Sequence, residues 1–140
     1  MARILEKKFL VDEQDKSVGV TLPLRRGNNG YFEVSYTTKD QIKSNIKSLL
    51  LTQKGERVMQ PNFGSDLRKC LFEPNTKNLD SIIEDSITEA INTWMPYVTI
   101  ESILYDVDST LTDRNRIDLE LKYSLKYSNS QILEQLNIVI

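Results

Sequence analysis

The chain has 140 residues, 39% of them hydrophobic and 27% charged, with a formal net charge of −2. That is enough for one compact domain and argues against any global attraction to nucleic acid. It has one cysteine and no histidine, so an intrachain disulfide and any histidine-based triad or metal site are excluded. No stretch approaches the ~20 apolar residues that span a bilayer, and Met1 to Lys8 brings charge where a signal peptide would begin its apolar run.

The first third reads as an arm, residues 1–36. Val18, Val20, Leu22 and Leu24 alternate with Gly19, Thr21 and Pro23, as a short edge strand would, because proline cannot donate to a central ladder. Arg26-Gly27-Asn28-Asn29-Gly30 supplies a turn, and Phe32, Val34 and Tyr36 resume the alternation. Residues 37–140 read as the main domain. Thr38 with Gln41 predicts a capping box, and Ile42, Ile46, Leu49 and Leu50 mark one helical face. That helix is expected to end near Gly55 in a left-handed cap.

A loop with Pro61 follows, then a short helix over 64–72 presenting Leu67, Cys70 and Leu71. The longest helix is expected from Thr76 to Trp94. Leu79, Ile82, Ile83, Ile87, Ala90, Ile91 and Trp94 form its stripe, and Pro96 stops it. Beyond it the period changes to two. Val98, Ile100 and Leu104 share one parity while Ile103, Tyr105 and Val107 share the other, a switch that predicts either a bulge or two buried faces. A turn-rich stretch, Asp108 to Asn115, leads to a cleaner strand with Ile117, Leu119, Leu121, Tyr123, Leu125 and Tyr127 on one face. Ile132, Leu136, Ile138 and Ile140 lie in a last segment. Helices followed by strands predict an α+β domain, with helices on one face of a small antiparallel sheet and an N-terminal arm.

The most informative stretch is Leu50-Leu51-Thr52, then Gly55-Glu56-Arg57-Val58-Met59-Gln60-Pro61-Asn62-Phe63-Gly64, continuing through Leu67 to Leu71-Phe72-Glu73-Pro74. About a dozen positions at fixed spacing resemble the signature of the baseplate wedge family of contractile phage tails. That family includes the corresponding subunit of the type VI secretion baseplate. The resemblance runs from about Thr38 onward and departs at one place. Where the family carries Glu-Pro-Arg, a motif associated with docking onto the wedge's helical core bundle, this chain reads Met95-Pro96-Tyr97.

Read physically, Val58, Met59 and Phe63 are expected to cover the sheet or the helix ends. Glu56 and Arg57 are expected either to pair locally or to reach a neighbouring subunit. The resemblance implies a structural subunit in multiple copies around a six-fold baseplate. It would be assembled in the host cytoplasm and located in the virion, with no cofactor, metal or catalytic residue. Its partners would be other wedge proteins and the tail sheath protein, with tube or hub proteins as further candidates, and neither nucleic acid nor membrane. Sheath subunits exchange terminal strands, so the edge formed by 116–127 and 131–140, apolar at Leu136, Ile138 and Ile140, is expected to accept or mimic a sheath strand. With Glu56, Arg57, Met95, Pro96 and Tyr97, these three are the candidate partner-binding residues.

Two other classes compete. The family has been labelled a tail lysozyme, and Glu56 with Asp66, or Asp66 with Glu73, could be proposed as a glycosidase pair. Acidic residues are plentiful, however, and Phe63 and Phe72 are explained by core packing. Cys70 has no histidine partner and lies on an apolar stripe. Asp106, Asp108 and Asp113 lack the spacing of a calcium loop. The other competing reading is a small adaptor of the same fold that binds one soluble partner.

Overall fold

The computed structural model describes residues 16–28, 30–70, 79–107, 117–127 and 130–140. The expectations for Leu71 to Pro74, for the turn after Val107 and for Glu73, Asp108 and Asp113 lie outside them. The chain divides into two compact units, Met1–Ser48 and Leu49–Ile140.

In the first unit, β1 (Gly19–Val20) pairs antiparallel with β2 (Val34–Ser35). The ribbon is shorter than the sequence alternation suggests, although Val18 and Thr21 extend it by donating to the carbonyls of Ser35 and Glu33. Helix α1 spans Thr38–Leu51, its first eleven residues in this unit and Leu49 to Leu51 in the second. Its N-cap is Thr37, not Thr38. The Asp40 amide donates to Thr37 Oγ1 at 3.2 Å, and the Thr37 hydroxyl donates to the Asp40 carboxylate at 2.6 Å. Gln41, the expected capping partner, instead accepts from the Ser35 hydroxyl at 2.6 Å and donates to Asn45 at 2.8 Å. Ser44 accepts from the Leu22 amide, which ties the helix to the segment before Pro23.

The second unit contains a short helix, α2 (Leu67–Cys70), a long helix, α3 (Leu79–Trp94), and a three-stranded sheet. Strands β3 (Val98–Val107), β4 (Ile117–Tyr127) and β5 (Ser130–Val139) run antiparallel in the order β3-β4-β5. The α+β reading therefore holds. The apolar stripe of α3 is buried at Leu79, Ile83, Ile87, Ala90 and Ile91, and the helix packs on α2 and β3. Ile82, expected in that stripe, faces outward. The Tyr105 phenol of β3 bonds to Asp80 of α3. Burial first, then that bond and the charges of Asp80 and Glu84, push its pKa up to about 12.

Leu119, Leu121, Tyr123 and Leu125 of β4 are buried, as their period-two spacing requires. Leu136 and Ile138 pair with Leu121 and Leu119 and are buried with them. The parity switch in β3 is a bulge: the β4 register slips between Ile100 and Ser102, leaving Glu101 unpaired. The Glu101 carboxylate accepts from the hydroxyl of Ser124 at 2.6 Å. That bond explains why Ser124, expected on the polar face, is buried.

Because Thr37 supplies the cap, Thr37→Ala should cost about 1 kcal/mol of stability by urea denaturation, and Thr37→Ser only a few tenths.

Candidate functional site

The segment from Thr52 to Asp66 contains much of the distinctive sequence, and it is built almost entirely from turns. Gln53 to Glu56 form the first, closed by the Glu56 amide on the Gln53 carbonyl at 3.1 Å. Gly55 sits at its third position with φ +93°. The glycine thus serves a turn and not the helix cap expected of it, since α1 has already ended at Leu51. Arg57 to Gln60 form the second turn and Gln60 to Phe63 the third, with Pro61 at the corner where its fixed φ fits. The Gly55 amide donates to the Pro61 carbonyl at 2.7 Å and cinches the three together.

The base of the loop is anchored on the end of α1. Gln53 and Ser65 form a parallel bridge, the Ser65 amide donates to Thr52 O at 2.9 Å, and the buried Ser65 hydroxyl donates to Leu50 O at 2.7 Å. These bonds satisfy carbonyls that a helix C-terminus leaves open. Gly64 has φ +117°, and a Cβ there would run into the carbonyl oxygen of Thr52. The loop is also held to α3. Asp66 N donates to Ser86 Oγ at 3.1 Å, Lys54 reaches Glu89 at 3.1 Å and Asp66 at 3.4 Å, and Lys69 reaches Asp66 at 2.7 Å. Phe63 meets Trp94 edge-on, with ring centroids 5.2 Å apart.

The hydrogen bond and charge of Lys69, aided by Lys54, hold the Asp66 carboxyl below its ordinary value. The Lys54 ammonium is raised, chiefly by its hydrogen bond to Glu89. Of the two carboxyl roles in a glycosidase, a carboxyl with its pKa lowered in this way suits the ionised nucleophile or base and not the general acid. Glu56 is exposed, and its carboxylate accepts from the Gln53 amide at 3.1 Å.

Of the two alternatives for Glu56 and Arg57, the local pair does not form, and each side chain makes other contacts. Arg57 donates to Gln60 at 3.3 Å and stacks its guanidinium 4.3 Å from the centre of the Phe63 ring. Val58 and Met59 are the larger correction. They were expected to cover the core, but they occupy the two corners of the middle turn and are 93% and 91% exposed.

The remaining candidates fall into two groups. Pro96 is exposed and Tyr97 is 39% exposed, at a turn closed by Val98 N on Met95 O, whereas Met95 is only 4% exposed. Leu136 and Ile138 are likewise in the core, and Ile140 is half-buried. Met95, Leu136 and Ile138 therefore offer a partner no side-chain surface. The part of β5 that carries Leu136 and Ile138 can offer only backbone and the outward residues beside them. The paired edge expected over 116–127 also needs correction. β4 is the central strand, bonded on both sides.

The sequence model of the family described as baseplate wedge protein gp25 matches residues 36–130, 95 of the 140 residues. The chain belongs to that family. Among curated relatives of this gp25-family chain, the baseplate wedge protein gp25 of Enterobacteria phage T4 is 29% identical over 97 residues. The match covers 69% of this chain and 70% of the relative. Baseplate protein W of Escherichia phage P2 is 31% identical over 77 residues, 55% of this chain and 67% of the relative. The fold recurs in a chain of the anti-feeding prophage baseplate, with a TM-score of 0.66 and 18% identity over 90% of this chain and 94% of that one. It recurs also in a Geobacter sulfurreducens protein described as a proposed tail lysozyme, with a TM-score of 0.58 and 23% identity over 71% and 88%.

Two predictions test the loop of this wedge-family chain. Gly64→Ala should lower stability by about 2 kcal/mol or more in denaturant titrations, because it adds both strain and a backbone clash. A carboxyl whose folded pKa lies below its unfolded value, about 3.9, stabilises above that pH and loses the contribution as pH falls. Asp66→Asn should therefore be less stable by up to about 1 kcal/mol at pH 7, and the gap should close as urea midpoints are taken below about pH 4.

Proposed function

We propose that this chain is a structural baseplate subunit that docks on other wedge proteins and templates the first sheath ring by strand pairing at the outer edge of β5. Residues 37–140 form the wedge module, and residues 1–36 form an arm that extends it. The subunit works by geometry, in multiple copies around the six-fold axis of a tail baseplate in the virion, and turns over no substrate.

The observation that carries this reading is the contrast between the two sheet edges. β5 pairs with β4 through ten consecutive positions, from Asp118↔Val139 to Tyr127↔Ser130, without a bulge. Its only charged residue is Glu134, and among the described residues no strand pairs with its outer edge. β3, the other edge, is bulged at Glu101, a device that protects an edge from further pairing. A regular, nearly uncharged edge is what strand addition requires, with backbone bonds giving affinity and alternate side chains giving register. The side chains of Leu133 and Val139, 70% and 55% exposed, would then read the incoming strand. Wedge docking falls to the surface that includes Glu56, Arg57, Pro96 and Tyr97. The structural reading is supported by the chain's family and by its baseplate relatives.

Removing 136–140 would also strip Leu136 and Ile138 from the core, so the test uses outward substitutions. Leu133→Lys with Val139→Lys should leave the circular dichroism spectrum and Tm unchanged. In negative-stain micrographs of mixtures with the sheath and wedge proteins of the same genome, it should abolish sheath rings. Rings formed equally well by the doubly substituted chain would refute strand templating.

A further inference from the structure

The corners of a β-turn usually go to glycine, proline, asparagine or aspartate, which suit its geometry and its exposure. The Arg57 to Gln60 turn instead places Val58 and Met59 there, both more than nine-tenths exposed. Exposing them to water brings no folding benefit. The turn is held all the same: Gly55 N on Pro61 O closes the loop beneath it, Arg57 bonds to Gln60, and the guanidinium is stacked on Phe63, which in turn rests on Trp94. The ordering cost of this tip is thus met before any partner arrives, the condition under which two side chains can add substantial affinity.

We infer that the Val58–Met59 tip is a preformed knob that inserts into an apolar pocket of a neighbouring wedge protein, with Arg57 meeting a carboxylate on the pocket rim. Two adjacent side chains standing out from a turn fit a concave receptor and not a flat one. Methionine and arginine are both enriched at interface cores, and methionine adapts its shape to the pocket. The charge of Arg57 specifies the rim. It has no ion pair among the described residues, and Glu56 beside it is turned to the Gln53 amide. An acidic rim would complete a charge that the described residues leave with only a ring and an amide. The inference rests on the wedge-subunit reading and names the contact by which that subunit is held.

The test measures binding of the full chain to the purified wedge proteins of the same genome, and separately to the sheath protein. Val58→Ser with Met59→Ser should weaken wedge binding about 30-fold or more with thermal stability and sheath binding unchanged, and Arg57→Glu, which also removes the stack on Phe63, about tenfold or more with sheath binding unchanged. Mild peroxide offers a second readout without mutation. Met59 is exposed and Met95 is buried, so Met59 should oxidise well ahead of Met95. Wedge affinity should fall in step with its sulfoxide, and Met59→Leu should bind well and resist the loss. Wedge binding within twofold of the parent in the serine variant would overturn the knob while leaving the wedge reading standing. Loss of sheath binding alone would also overturn it, by moving the tip to the sheath. A parent chain that binds no wedge protein at all would overturn both.

Discussion

The segment between α1 and α2 can hold its shape only because backbone at Gly64 lies directly against the carbonyl of Thr52. That approach has no room for a Cβ and a φ that side chains rarely adopt. It lets Ser65 satisfy two carbonyls at the end of α1, and it directs Asp66 onto Ser86 of α3. From this one contact the loop acquires a rigid base, and the three turns above it need only their own short-range bonds. Without it the C-terminal carbonyls of α1 would be left to water, and the loop would lose its anchor.

Above that base, the loop replaces conventional core burial with a small stack. Arg57 covers Phe63, and Phe63 meets Trp94 at the last turn of α3. The stack fixes the direction of the middle turn and leaves Val58 and Met59 outside it. Around the base, Lys54, Lys69, Asp66 and Glu89 form a network at the surface. Such partly exposed pairs contribute little each, and their value here is positional. Through them Asp66 joins the loop to α2 as well as to α3.

The sheet carries a comparable division of labour. One face is committed to burial through Leu119, Leu121, Tyr123, Leu125, Leu136 and Ile138, so register is strongly determined: a one-residue slip would turn all of them outward. The two edges are then free to differ. The bulge at Glu101, pinned by Ser124, twists and marks β3, while β5 stays regular throughout its length. Strand templating, as proposed, would use the regular edge and not the bulged one.

Period and punctuation alone determined the α+β class, most of the buried faces of α3 and β4 and the stop before Pro96, because these depend on local spacing and on one apolar face needing cover. The parity switch in β3 left a bulge and two buried faces open until the register was seen. The family was legible as well, through glycines, a proline and apolar residues at fixed intervals after α1. What tertiary structure alone decided were choices between chemically equal candidates. Thr37 caps α1 in place of Thr38 because Gln41 is taken by Ser35. Ser35, Ser44, Ser65 and Ser124 are buried because a partner happens to face each hydroxyl, which composition does not reveal. Val58 and Met59 read as core by hydropathy, and Leu136 and Ile138 as contact by position, yet the turn expels the first pair and the pleat buries the second. Hydropathy reports what a side chain gains from burial, but only the folded backbone decides which way it points.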